Sequence, residues 1–288
     1  MPLMVRITLL WLCACAPFAA RAEVVDAAPY VARAQALHLA AQPHWLRLLH
    51  HKPGETRSEV TSPTFFLAAD GRRDSQAELQ ATIIALLAPV GSTPDEHARC
   101  RFPARFEWLQ AQLDLPSMVA RCPAVEDWAE PATLRSVSVM MVSGFLGNPA
   151  SSFGHSLLRL NHQDDSAGGR LLDLSFNFGA RVPEHEPMVA YIARGLLGGY
   201  QSGFTSGSYY LQDQVYVRTE FRDVWEYELA LTPAEKQRLA AHLWELSGQS
   251  FTYYFLTENC AYRLAELVTL ATGRATPIPE DVKAKYSI

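Results

Sequence analysis

The chain has 288 residues, of which 49% are hydrophobic and 19% charged, and its formal net charge is -5. That is globular composition, with enough apolar material to bury the core of one large domain or two small ones. The acidic balance argues against nucleic acid as a partner, because phosphates call for a basic surface.

The N-terminus carries an export pattern. Arg6 precedes the short apolar run Ile7 to Phe18, and Ala20-Arg21-Ala22 supplies an A-x-A cleavage site, so residues 1–22 read as a signal peptide with a mature start at Glu23. The run is too short to span a bilayer comfortably. A rival reading takes Leu12-Cys13-Ala14-Cys15 as a lipobox with Cys15 lipidated, but the apolar stretch before it is very short. Removing the signal leaves Cys100, Cys122 and Cys260.

Residues 23–132 read as a mostly helical region. Ala27 to His51 has apolar residues at helical spacing, Asp74 caps an Ala/Leu/Ile-rich stretch ending at Leu87, and Pro103 to Leu113 is a further helix. Cys100 and Cys122 lie close together around a helix. In an oxidising compartment they form the natural disulfide, which the chain-entropy argument makes worth about 3 kcal/mol. Residues 133–288 change texture. Ser136 to Val142 and His155 to Asn161 read as strands, and Arg170 to Phe178 as a third strand joined by a turn at 164–169. Met188 to Leu197 is helical up to Gly198-Gly199, residues 200–210 form a Gly/Ser/Tyr-rich loop, and Val215–Arg218 and Val224–Leu231 read as strands. Thr232, Pro233 and Glu235 open a helix that runs to Leu246, and a last helix capped by Thr257 ends at Gly273. The class is α+β with a mainly antiparallel sheet.

Cys260 is the odd thiol, and an unpaired thiol in an exported protein asks for a reason. A place in the first turn of a helix exposes its sulfur to the positive dipole end and to unsatisfied backbone N–H groups, which favour thiolate. Leu264, Leu267, Val268 and Ala271 continue one apolar stripe from it, so it faces the sheet. A thiol at a helix start facing a sheet is a papain-like arrangement, although a structural cysteine would occupy the same place. His155 opens a strand behind Gly154 and is the candidate base; a plain surface histidine at a strand end is the bland alternative. If 155–162 pairs with 170–177 around Ser166, His155 faces Asn177, which would orient the imidazole. A register slip would offer Ser175 instead, with Asp173 and His162 as weaker choices. The Cys260 N–H, with Asn259 or Tyr262, is a candidate oxyanion donor. Arg222, Asp223 and Glu226 read as a structural ion-pair cluster. No histidine has metal-ligand spacing, and neither a metal nor another cofactor is expected.

The order His155 then Cys260, with Asn259-Cys260 opening the last helix, resembles circularly permuted papain-like (NlpC-like) enzymes, including lecithin retinol acyltransferase-like proteins. More closely, Trp45-Leu46 to His50, Phe65-Phe66, Cys100 to Arg105, Ser152 to His155, Gly195 to Tyr200, Arg222 to Tyr227 and Asn259-Cys260 resemble, in this order, the Lnb N-terminal periplasmic domain family. The resemblance implies a permuted papain-like core in the second region. It also implies a Cys260–His155 thiol enzyme that moves an acyl chain from a phospholipid to a lipoprotein through an acyl-thioester. The namesake continues into transmembrane helices that this sequence does not show, so peripheral membrane contact is the expected route to lipid. Tyr200, Phe204, Tyr209 and Tyr254 are candidates to line an acyl groove. A cysteine amidase or peptidase acting on cell-wall peptides, and a non-catalytic cell-envelope binding module, are the competing readings.

Overall fold

The computed structural model describes residues 25–116, 121–130, 133–147, 151–152, 154–162 and 166–274. The expected signal peptide, the Cys15 lipid anchor and the last part of the second region, 275–288, lie outside the described residues.

Six helices come first: α1 (Ala28–Ala36), α2 (Pro43–Leu48), α3 (Ser75–Leu87), α4 (Ala98–Arg101), α5 (Pro103–Leu113) and α6 (Pro123–Ala129). The stretch from Ala27 to His51, read as helical in its spacing, breaks twice. His38 adopts a left-handed backbone at φ 49, and Pro43, which cannot donate to a preceding turn, restarts the chain as α2. Asp74 caps α3 as expected, accepting from the N–H groups of Gln76 and Ala77 at 3.0 and 2.9 Å. The expected disulfide is present between Cys100 and Cys122, with Cα atoms 5.2 Å apart.

The second half builds one antiparallel sheet in the order β5-β1-β2-β3-β4-β6. Its strands are β1 (Ser136–Val142), β2 (His155–Asn161), β3 (Leu174–Ala180), β4 (Tyr200–Ser208), β5 (Val224–Glu228) and β6 (Phe251–Tyr253). Helices α7 (Ala167–Leu172), α8 (Met188–Leu197), α9 (Tyr209–Asp213, followed by a π-helical turn Gln214–Thr219), α10 (Pro233–Leu246) and α11 (Cys260–Thr272) connect and cover it. The class is thus α+β, as the sequence implies.

Several expectations need correction. The connection after β2 holds α7, which Ser166 caps by accepting from Gly169 N–H, so β3 starts at Leu174 rather than Arg170. Leu157 therefore pairs with Asn177, two residues along from the expected register. Residues 200–208 are a strand and no loop, because the central place beside β3 admits a Gly/Ser-rich segment. Any Cβ at Gly203 would fall 2.5 Å from the Gln249 carbonyl. Val215–Arg218 belongs to the π-helical turn; its valines are half exposed and have no strand to pair with. β6 was not expected, since three residues are too few to show a period. α10 carries the full capping box, with Thr232 and Glu235 bonded reciprocally.

The apolar stripe of α11 and the buried face of α10 pack on one sheet face. A continuous hydrophobic core, with Trp45, Phe65, Leu158, Phe176, Phe178, Phe251, Leu264 and Leu267 among its members, joins the N-terminal helices to that layer. A line of buried charge runs through it. Arg105 Nη1 donates to Glu78 Oε1 at 2.7 Å, and its backbone N–H to Glu245 Oε1 at 2.9 Å. Glu245 meets His242 Nδ1 at 3.2 Å, His242 meets His50 ring-to-ring at 3.0 Å, and His50 Nδ1 lies 3.5 Å from Glu266. Arg263 closes the line, donating to Glu266 at 2.7 Å and to Glu59 at 2.9 Å, while Lys52 reaches Glu59 and Glu258. Charge can be buried here because each group has a partner.

Candidate thiol site at the start of α11

Asn259, rather than Thr257, caps α11: its Oδ1 accepts from Tyr262 N–H at 3.2 Å. That puts Cys260 at the first helical position. It is the free cysteine among the described residues and is only 7% exposed. Its Sγ accepts from the backbone N–H groups of Ser156 and Ala261 and is hydrogen-bonded to His155. Burial pushes the thiol up, but the His155 cation and these hydrogen bonds outweigh it and hold Cys260 below the usual thiol range. For His155 burial acts downward. The negative sulfur, its hydrogen bond and the Asn177 carbonyl outweigh that, against some opposition from Arg222, and the imidazole sits above its ordinary value. Both shifts favour a thiolate–imidazolium pair.

Asn177 Oδ1 lies 2.5 Å from His155 Nε2. A carbonyl oxygen only accepts, so Nε2 carries the proton, and Nδ1 is left to exchange one with the thiol. The two-residue register difference does not break this contact. It keeps Asn177 on the same sheet face, and a diagonal neighbour is within reach of an imidazole. Ser175 instead bonds the Gly207 carbonyl, and Asp173 is paired with Arg159 at 3.6 Å and with His162 at 3.4 Å.

Gly154 has φ +94, and a Cβ there would lie 2.8 Å from the Val142 carbonyl. Gly144 is as tight against the Ser152 carbonyl. The two glycines let the chain turn into β2 so that His155 stands at its first position.

Other expected site residues take different places. The Asn259 amide is used at both ends, donating to the Phe255 carbonyl as well as capping the helix. The Tyr262 hydroxyl points to Glu59 at 3.2 Å. Both thus serve the helix start and its link to the N-terminal part. Tyr200 and Phe204 are buried in the core, whereas Tyr209 packs with Met140, Val142 and Leu157 in a separate cluster on the other sheet face. Tyr254 lies against Gly198. The four do not line one groove, because Tyr200 and Phe204 of β4 point into the core while Tyr209, at the start of α9, lies with the other cluster. Glu226 pairs with Arg159 and Arg170, while Arg222 pairs with Glu220 and donates to the Ser143 carbonyl. The sequence reading therefore joined two separate groups.

The sequence assigns three neighbours of the site no role beside the thiol: Tyr253, Tyr216 and Arg222, the last read there as part of an ion-pair cluster. Tyr253 accepts the Cys260 backbone N–H on its hydroxyl, which places a phenol where the Cys260 N–H was expected to stand free. The Tyr216 ring lies tilted by 43° against His155, with ring centroids 5.8 Å apart, and Arg222 lies over the Tyr216 ring at 5.0 Å. Tyrosine spacing alone does not reveal these places, since each depends on β6 or on the π-helical turn.

Among the described residues no helix is long and apolar enough to cross a membrane. Comparison with known families gives two matches: the Lnb N-terminal periplasmic domain over residues 124–285, and a domain of unknown function, DUF7843, over residues 37–112. No curated protein and no solved structure matches the chain. The first match covers more than half of the sequence and gives the chain a periplasmic role linked to lipoprotein processing. The chain belongs to the Lnb N-terminal periplasmic domain family.

Proposed function

We propose that this protein is a periplasmic thiol acyltransferase with a permuted papain-like core. The observation that carries the reading is the Cys260–His155–Asn177 line, in which a buried thiol at a helix start meets an imidazole whose far nitrogen is held by an amide oxygen. The Cys260 thiolate attacks the ester carbonyl of a phospholipid. The proton on His155 goes to the departing glycerol oxygen, so a lysophospholipid leaves and an acyl-thioester stays on Sγ. The N-terminal amine of a lipoprotein then attacks the thioester. His155 takes the amine proton, the C–S bond breaks, and the thiolate returns. Peripheral contact with the membrane supplies the lipid.

Intact mass after incubation with phospholipid vesicles tests this. One acyl mass should appear on the wild-type protein, be released by hydroxylamine and be absent from Cys260→Ser. No adduct, with release of amines from cell-wall peptides, would replace the reading by an amidase; neither reaction would leave a binding module.

A further inference from the structure

Among the described residues, the four most exposed large apolar side chains are Leu146, Phe221, Val189 and Leu197, at 91%, 86%, 81% and 80%. They belong to three separate connections, 143–147, 181–199 and 219–223, yet the strand register places all three at one end of the sheet. Val142, the last residue of β1, lies between His155 and Val224, the first residues of β2 and β5. Ala180, the last residue of β3, pairs with Ser202 near the start of β4, and Tyr200 at that start pairs with Tyr253, the last residue of β6. The same end holds His155 and, after β6, Cys260.

α8 carries the largest piece of this apolar surface. At 100° per residue, Val189, Ile192, Leu196 and Leu197 fall within one half of the helix circumference, and all four are exposed. The opposite side has Gly195, where a Cβ would overlap the Phe255 ring, and the Gly195 carbonyl accepts from Phe255 N–H at 2.9 Å. α8 thus rests on the segment that runs into Asn259 and Cys260. Phe221 adds a second observation. Its backbone is left-handed at φ 53, which is costly for a bulky residue, and its exposed ring gains no packing within the chain to offset that cost. Its loop is fastened to the Leu146 loop, since Arg222 Nε donates to the Ser143 carbonyl at 2.7 Å and Asp223 N–H to Ser143 Oγ at 3.0 Å.

We infer that this end of the sheet docks on a zwitterionic phospholipid surface, with α8 lying along it and Phe221 and Leu146 entering the acyl layer. The inference rests on the acyl-transfer reading above and names the surface through which that reaction reaches its lipid. Charge favours a zwitterionic layer over an anionic one: Arg194 is paired with Glu186 at 2.7 Å and Arg222 with Glu220 at 2.9 Å, and residues 143–154 include no charged residue. Area argues against a second protein. A stable interface buries about 800 Å² on each partner. The α8 stripe, about 15 Å long and about 10 Å wide, supplies on the order of 150 Å², and Phe221 and Leu146 stand at the β5–β1 edge, three strands further along. A fluid apolar layer accepts such scattered points, because apolar transfer is non-directional and needs no matching contour. Docked in this way, the end of the sheet that holds His155 and Cys260 faces the depth at which phospholipid esters lie.

Co-sedimentation with phosphatidylcholine vesicles tests this. The chain starts at Glu23, so that the apolar run Ile7 to Phe18 does not itself bind lipid, and carries Cys260→Ser, so that binding is read without chemistry. Binding should change less than about twofold between about 0.05 and 0.5 M NaCl, because no exposed ion pair contributes to it. Val189→Ser, Leu197→Ser and Phe221→Gly should each weaken it by about tenfold, the effect of returning one such side chain to water. Leu172→Ser removes a side chain 73% exposed on α7, at the opposite end of the sheet, and should change binding less than about twofold. Phe221→Gly should keep the melting temperature or raise it, because glycine takes a left-handed backbone without steric cost; lost binding at undiminished stability is not a folding defect. Unchanged binding in the three rim variants would overturn the docking surface. So would binding that needs anionic lipid and is lost in salt, or a lipid-free dimer that the three substitutions dissociate. The surface and the acyl-transfer reading fail separately. A Cys260 protein that binds vesicles through these residues but takes up no acyl mass keeps the surface and ends the reading. An acyl mass gained equally by all three rim variants keeps the reading and ends the surface.

Discussion

Replacing Arg263 by Met removes the cation that closes the buried charge line. The Arg263 side chain is 0% exposed, and its partners Glu59 and Glu266 are 8% and 26% exposed. The methionine keeps most of the apolar stem that packs against Phe251, where the guanidinium now sits 4.4 Å from the ring. What is lost is compensation: two largely buried carboxylates face each other with Lys52 and His50 as remaining partners. Breaking a buried pair from one side costs about 3–5 kcal/mol, and for a chain of this size that lowers the melting temperature by about 6–15 °C. The pH dependence fixes the cause. In the wild type, burial would raise Glu266, but Arg263 and His50 outweigh it and hold the carboxyl well below its usual range. A depressed carboxyl contributes stability above its unfolded pKa and loses it as pH falls through the folded one. Arg263→Met cancels that contribution, so the gap between the two proteins should be widest at neutral pH and narrow on acidification below about pH 4.5, where the unfolded carboxyls also take protons. Thermal melts from about pH 2.5 to 8 measure this. A loss under about 1 kcal/mol, or a gap that does not change with pH, would refute the view that paired charge holds α11 to the N-terminal part. Adding Glu59→Gln should recover part of the loss.

Two further outcomes are expected. Iodoacetamide reacts with thiolate, and Cys260 is held low by His155 against a burial effect that pushes it up. His155→Ala should therefore cut the alkylation rate at pH 6.5 by about a hundredfold, since a thiol near pKa 8.5 is about 1% ionised there, and the two rates should converge near pH 10; equal rates at pH 6.5 would contradict the ion pair. Cys100→Ser/Cys122→Ser opens a loop of sequence separation 22 and should cost about 3 kcal/mol in urea unfolding, with no effect on Cys260 alkylation; an unchanged midpoint, or three reactive thiols in the unreduced wild type, would count against the bridge.

The elements that the sequence made legible are those with local causes. Asp74, the Thr232–Glu235 box and Gly198 each end or begin a helix through chemistry within four residues, and the helices they bound appear as read. β1 and β2 match because both show apolar runs bounded by turn residues. The pairing of Cys260 with His155 could be expected from a helix start and a strand start, and Asn177 from antiparallel counting, even though the count was off by two. What stayed hidden depends on partners far along the chain. β4 looks like a loop because glycine and serine are poor strand formers, yet Gly203 is needed where the Gln249 backbone crosses. The valines of 215–218 have strand character but no neighbouring edge. Tyr216 and Tyr253 become site residues only once the π-helical turn and β6 exist, and neither element leaves a periodic trace. Arg222 was grouped with Glu226 by proximity in sequence, whereas the strand geometry separates them.

The line of buried charge sets a limit on how this protein can be trimmed. A fragment cut to the family-matched residues 124–285 would keep Arg263, His242 and Glu245 but discard Glu59, His50, Arg105 and Glu78, together with Val60, which bridges to Phe251. The residues that the family match spans and the set that neutralises this buried charge are thus different things in this chain. Expression should begin ahead of α1, so that His50 and Glu59 stay against Glu266 and Arg263 of α11.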